Sequence, residues 1–226
     1  MEILNLFPIP VFKFKYSEHA TFKSKAMEYL NVDSVYANNT REYSGLEFTS
    51  PELHRHPIFS EFAKWAHDNT STAMETLGFY GNHQITSLWA TRHRDQVGHH
   101  PHQHSNSFMA GVYYLNGTEK SSGTTFYNVH DLWERIVPAT LPNKRLPVNS
   151  STTLPFDEGT LLIFPSWLKH RVAPNQLGSS GSVRHVLAFN SMPVGMTNTD
   201  EFDRYNYQDI STAEMITTSH HKQPTN

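Results

Sequence analysis

From residue 84 onward the chain is written in short β-rich segments, and this constrains its fold more than any other feature. "QITSLWATRH", "SFMAGVYYLN", "GTTFYNV", "GTLLIFPSW" and "VRHVLAFNSM" follow one another, separated by Gly, Asn, Ser and Pro. Upstream the period is helical. "EHATFKSKAMEYLNV" places Phe22, Ala26 and Tyr29–Leu30 at helix spacing. "TSPELHRHPIFSEFAKWAHDNTSTAMETLGF" offers Ser50 as an N-cap with Pro51 at the first helical position. A longer helix is expected after Pro57, with Phe59, Phe62, Trp65 and Ala66 on one face. Before these, "FPIPVFKFKY" ends in alternating apolar and basic residues, which suits a half-buried strand. Helices first and strands after predict a mainly β protein with an N-terminal helical packing layer on an antiparallel sandwich or barrel.

A chain of 226 residues suffices for one domain with a sizeable core. The expected division is a single domain over 1–193, with helical support at 17–80 and a β core at 84–193, and then a polar tail at 194–226. Residues 127–156 hold four prolines and no clear period, although Trp133 and Ile136 argue against pure disorder. This segment is expected to line the mouth of whatever site the β core carries. There are no internal repeats.

The net charge of −3 gives no basic field for sequence-independent nucleic-acid binding, and it argues mildly against a nucleic-acid partner. "MEILNLFPIP" lacks the charged and long apolar regions of a signal peptide, and runs such as "TLLIFP" are too short to span a bilayer. The expectation is a soluble protein without a membrane partner, cytoplasmic in its own cell or in an infected host. There is no cysteine, so a transition-metal site would use His with Asp, Glu or water.

Histidine, at 15 residues, is the compositional outlier, and four of them crowd into "GHHPHQHSNSF". His102 and His104 are separated by one residue, so in an extended chain both imidazoles face the same way and can meet one ion. Two ligands hold a metal weakly. His170, in "FPSWLKHRV" behind a buried strand, is the natural third, and a hairpin could bring it beside the pair. Such a triad leaves open positions for oxygen and a bidentate cosubstrate. The spacing alone leaves one ambiguity, because His100 and His102 form a second HxH pair. A solvated polar loop is the plain alternative for the cluster.

Together these segments resemble the iron(II)- and 2-oxoglutarate-dependent oxygenases, in particular a branch common in bacterial and phage proteins of unassigned substrate. The resemblance runs through "LFPIPV", "HQHSNSFMAGVYYLN", "SSGTTFY", "EGTLLIFPSWLKHRV" and "RHVLAFN", in the order of a double-stranded β-helix or jelly roll. The block "YYLN…SGTT…GTLLIFPSWLKH…R" is similar to the prolyl-hydroxylase type. The resemblance implies iron(II) on His102, His104 and His170. It also implies an arginine, Arg184, gripping the far carboxylate of 2-oxoglutarate, a contact suited to a planar guanidinium. Tyr114 matches the tyrosine that donates to the same carboxylate, with Tyr113 as its alternate.

The implied activity is a hydroxylase that couples C–H oxidation by O2 to decarboxylation of 2-oxoglutarate to succinate, with ascorbate as a reductant and a peptide or small molecule as substrate. Two departures stand out. His104 occupies a place where most relatives carry Asp or Glu, and Val186 stands where many have a hydroxyl residue two positions after the arginine. Two other readings are a phage-type structural β protein binding iron along a trimer axis, and a cupin-like metalloenzyme that does not use 2-oxoglutarate. The latter would leave Arg184 and Tyr114 without a shared task.

Overall fold

The computed structural model describes residues 7–36, 45–129, 150–178, 181–197 and 205–207. Strand β1 (Phe12–Lys15) leads into helix α1 (His19–Leu30), short strand β2 (Leu46–Phe48) and helix α2 (Ser60–Thr76). The β region follows as β3 (His83–His93), β4 (His99–His102), β5 (Met109–Asn116), β6 (Thr124–Tyr127) and β7 (Ser151–Leu154). It continues with β8 (Thr160–Pro165), β9 (His170–Val172), β10 (Arg184–Pro193), β11 (Gly195–Thr197) and β12 (Tyr205–Tyr207). No helix among the described residues is long and apolar enough to cross a membrane.

Both helices form where the apolar period placed them. Phe22, Ala26 and Leu30 make a buried stripe on α1, and Phe62, Ala66, Ala73 and Met74 make one on α2. Phe22 stacks flat on Phe62 with ring centroids 4.9 Å apart, which joins the two helices. The expected N-cap at Ser50 is corrected. Its hydroxyl accepts from the Glu52 amide at 3.3 Å in a local turn, and only a short 3-10 turn follows at Leu53–Arg55. The long helix begins after Pro57, where the His56 ring accepts from the Ile58 amide.

The strands form two main antiparallel sheets. The larger has the order β1-β8-β5-β10-β3-β2 and the smaller β4-β9-β6-β7, while β11 and β12 pair separately. The fold is a jelly roll with a helical layer on the outer face of the larger sheet. Strand β5 shows how the layers are divided. Met109, Tyr113 and Leu115 face the helices, whereas Ala110, Val112 and Tyr114 face the smaller sheet. Burial on both faces is why this strand reads as an unbroken apolar run. Gly111 sits on the helix side, where a Cβ would lie 2.1 Å from the Phe189 ring, so no larger residue fits there.

The irregular segment 127–156 is partly ordered by pairing. Its last part is β7, which runs antiparallel to β6 from Leu154–Thr124 to Ser151–Tyr127. The Asn128 amide donates to Ser150 at 2.7 Å. Residues 130–149, including Trp133 and Ile136, lie outside the described residues, as does most of the tail at 194–226.

α2 is clamped to β3 by a histidine pair. The His67 and His83 rings stack at 4.2 Å, and each ring Nε2–H donates to the other's backbone carbonyl, at 3.0 and 3.1 Å. Burial pushes His83 down to about 4. Burial, followed by the charge of Arg92, likewise lowers His185 of β10 to about 4. In the folded state both are neutral, but unfolded histidine takes up a proton near pH 6.5. Stability should therefore be fully present above about pH 6.5 and fall as the pH drops toward 4. Between pH 7.5 and 5 each contributes a loss of about 2 kcal/mol. Urea denaturation of the metal-free protein at the two pH values measures it, and equal unfolding free energies would contradict this account.

Candidate active site

The smaller sheet brings the distant histidines together. β4 and β9 pair so that His102 lies directly across from His170, and His170 in turn faces Phe126 of β6. His104 lies just past the end of β4, where its backbone amide donates to the Ser166 carbonyl at 3.0 Å. The metal-competent nitrogens of His102, His104 and His170 all lie within 4.8 Å of one another. His100 is exposed and stays outside this group, contributing its carbonyl rather than its ring. Of the two HxH pairs, it is His102 and His104 that lie beside His170.

Each ring is held by its Nδ1. His102 Nδ1–H donates to the His100 carbonyl at 2.7 Å, His104 Nδ1–H to Asn190 Oδ1 at 2.5 Å, and His170 Nδ1–H to the Leu168 carbonyl at 2.9 Å. Because every Nδ1 meets an oxygen acceptor, the proton of each neutral ring sits there and the Nε2 lone pair is left inward. His104 Nε2 and His170 Nε2 are 3.3 Å apart. Two lone pairs at that distance repel unless a cation separates them. Imidazole nitrogens bound at about 2.1 Å to one ion in adjacent positions stand about 3 Å apart, so the donor set fits a divalent metal. Burial lowers His104 to about 4 and, with the neighbouring His102 charge, His170 to about 3. Burial also lowers His102. The triad is accordingly in its ligating, deprotonated form at neutral pH.

The triad opens into a pocket between the two sheets. Arg184 lines it from β10 and is fully buried, and none of its Nε, Nη1 or Nη2 atoms has a hydrogen-bond partner in the protein. The rings of Tyr114 and Phe156 stand 5.7 and 5.6 Å from the guanidinium. Burial lowers its pKa to about 10, which still leaves a cation at neutral pH. An uncompensated buried charge is costly, so this cavity is built for an anion.

Tyr114 is buried beneath it on the cavity side of β5. Its hydroxyl donates to Thr124 Oγ1 at 2.8 Å and accepts from the Thr124 amide at 3.1 Å. Thr124, rather than the tyrosine, lines the cavity wall. Tyr113 points to the other face, where its hydroxyl meets His19 Nδ1 at 2.6 Å, and so it is not interchangeable with Tyr114. Several cavity residues were not singled out in the sequence: Thr91, His93 and Trp89 of β3, Thr124 of β6, and His99, whose ring stacks on His102 at 3.9 Å. The period-two spacing of 89, 91 and 93 was the available signal for three of them.

Residues 87–190 match a protein family described as "Putative 2OG-Fe(II) oxygenase". No curated protein matches the sequence. Among solved structures, the chain is similar to the non-heme α-ketoglutarate-dependent epimerase SnoN from nogalamycin biosynthesis, at 12% identity over 96% of this chain and 89% of that one, with a TM-score of 0.59. It is similar to HygX from Streptomyces hygroscopicus with nickel, 2-oxoglutarate and hygromycin B bound, at 12% identity over 89% and 92% of the two chains, with a TM-score of 0.56. It is also similar to a Pseudomonas putida prolyl-4-hydroxylase, at 13% identity over 83% and 94%, with a TM-score of 0.54. At these identities the likeness is one of fold.

Proposed function

We propose, from a jelly roll whose residues 87–190 match the 2OG-Fe(II) oxygenase family, that this protein is an iron(II)- and 2-oxoglutarate-dependent oxygenase that hydroxylates a peptide or small molecule. One observation carries the reading. Three Nε2 lone pairs and an unpartnered, buried guanidinium line the same cavity. A metal alone would explain the histidines and leave Arg184 without purpose. A cosubstrate with a metal-binding 2-oxo acid at one end and a carboxylate at the other uses both. For the same reason a cupin-like enzyme without 2-oxoglutarate is the weaker reading.

His102, His104 and His170 would hold iron(II), which when bound supplies the redox chemistry for using O2, with ascorbate keeping it reduced. The chain's own work is positional. Arg184 neutralises the distal carboxylate and so fixes the cosubstrate's length and direction. Asn190 and the Leu168 and His100 carbonyls hold the three rings in one tautomer. The apolar walls at Val112, Val172 and Ala188 limit water in the cavity. Hydroxylation is supported by the likeness of the "YYLN…SGTT…GTLLIFPSWLKH…R" block to the prolyl-hydroxylase type.

Incubating the protein with iron(II), ascorbate, O2 and 2-oxoglutarate tests the reading. Succinate release above an iron-free control is expected even without the prime substrate, because uncoupled turnover needs only the site described. Iron-loaded protein that binds no 2-oxoglutarate and releases no succinate would overturn it.

A further inference from the structure

Val186 leaves a gap in the expected cosubstrate contacts, and β3, the strand paired with this stretch, carries polar residues into the same cavity. In the β10–β3 register Arg184 lies across from His93, and Val186 across from Thr91. All four line the cavity. His93 is 1% exposed. Its Nε2 lies 3.1 Å from Thr91 Oγ1, and its Nδ1 is buried with no partner in the protein. A buried polar atom left unpaired costs stability unless something else meets it. The threonine hydroxyl can donate to Nε2, which places the ring proton on Nδ1. Nδ1–H and the guanidinium are then two unsatisfied donors on adjacent strands of one cavity. A carboxylate has two oxygens to receive them.

We propose that His93 is a second holder of the cosubstrate's distal carboxylate, donating Nδ1–H beside Arg184, and that Thr91 keeps the ring in that tautomer. The hydroxyl missing at Val186 is thus replaced from the neighbouring strand, by an imidazole two residues from a threonine rather than by a direct Ser or Thr contact. His93 becomes a specificity residue for dicarboxylic 2-oxo acids. The inference rests on the oxygenase reading above.

The test is calorimetric titration of the manganese(II)-loaded protein without oxygen, using 2-oxoglutarate and 2-oxopentanoate, which keeps the 2-oxo acid but lacks the distal carboxylate. His93→Phe should weaken 2-oxoglutarate binding about ten- to a hundredfold. It should leave 2-oxopentanoate and manganese affinities within about twofold. His93→Gln, whose amide can still donate, should recover part of the loss. Thr91→Val should move affinity in the same direction by less, and it decides the matter together with His93→Gln if the phenylalanine variant does not fold.

A general structural disturbance would weaken both acids alike, and that result overturns the inference. So does 2-oxoglutarate binding within about twofold of wild type in the His93 and Thr91 variants while an Arg184→Met control loses it, since the arginine then acts alone and the oxygenase reading survives. Wild-type protein that binds the two acids equally would overturn the oxygenase reading, and the role of His93 with it.

Discussion

Replacing Arg184 with methionine is expected to make the cosubstrate-free protein more stable while removing its affinity for 2-oxoglutarate. The side chain is fully buried and all three guanidinium nitrogens lack partners. Methionine has a similar length and fills the same space among Tyr114, Phe156 and Val186 without a charge to desolvate. Substituting buried ionic groups by well-packed apolar ones stabilises by about 1–4 kcal/mol in favourable cases. Loss of a charge-assisted contact to a buried carboxylate costs about 2–5 kcal/mol of binding. That corresponds to a drop in 2-oxoglutarate affinity of about thirtyfold to several thousandfold. Iron binding should not change, since the three histidine rings are held by the His100 and Leu168 carbonyls and Asn190 rather than by Arg184. Urea denaturation and calorimetry read the two effects separately. A variant less stable than wild type, with cosubstrate affinity intact, would show that Arg184 is a structural residue.

His170→Ala is expected to abolish stoichiometric iron(II) binding with the fold retained. His170 begins β9, the strand hydrogen-bonded between β4 and β6, and its Nε2 is 3.3 Å from that of His104. Its removal leaves an HxH pair, which holds a metal weakly. Asn190→Ala offers a graded comparison. It frees the His104 ring while keeping all three ligands, and the loss in iron affinity should be about 10–100-fold. His100→Ala should bind iron as wild type does, because its ring is outside the cluster. Iron content measured after gel filtration, beside circular dichroism, distinguishes lost ligation from lost folding. Undiminished iron in His170→Ala would remove the metal assignment.

The parts of the molecule legible in the sequence are those with dense local patterns. β5, β8 and β10 are buried on both faces and read as apolar runs, and α1 and α2 announce themselves by period. The three histidines stood out by the HxH spacing and a third behind a buried strand, and Arg184 through the resemblance to the oxygenases. The unread strands β2, β4, β7, β9, β11 and β12 are only three or four residues long. "HHPH" and "HRV" become strands through their sheet partners, and no propensity of their own marks them. Thr91, His93 and Thr124 were passed over for a related reason. Each is an ordinary strand residue until register places it across from Arg184 or over Tyr114, and register is a long-range property. Ser50 failed as a helix start because its neighbours Pro51 and Glu52 are drawn into a bridge with Leu88 of β3.

The alternation along β5 and β10 has an evolutionary consequence. On β5, residues 109, 113 and 115 belong to the helix-facing core, and 110, 112 and 114 to the other side; on β10, Leu187 and Phe189 face the helices while Arg184, Val186 and Ala188 face the cavity. Neighbouring codons therefore answer to different selective pressures. Drift at the odd positions of β5 is limited by packing, with Gly111 the least tolerant because Phe189 already fills its space. Change at Val112, Val186 or Ala188 alters the shape and polarity offered to a guest molecule while the scaffold beneath is untouched. A descendant of this chain could acquire a new substrate by substitutions on one side of two strands, without first having to become more stable.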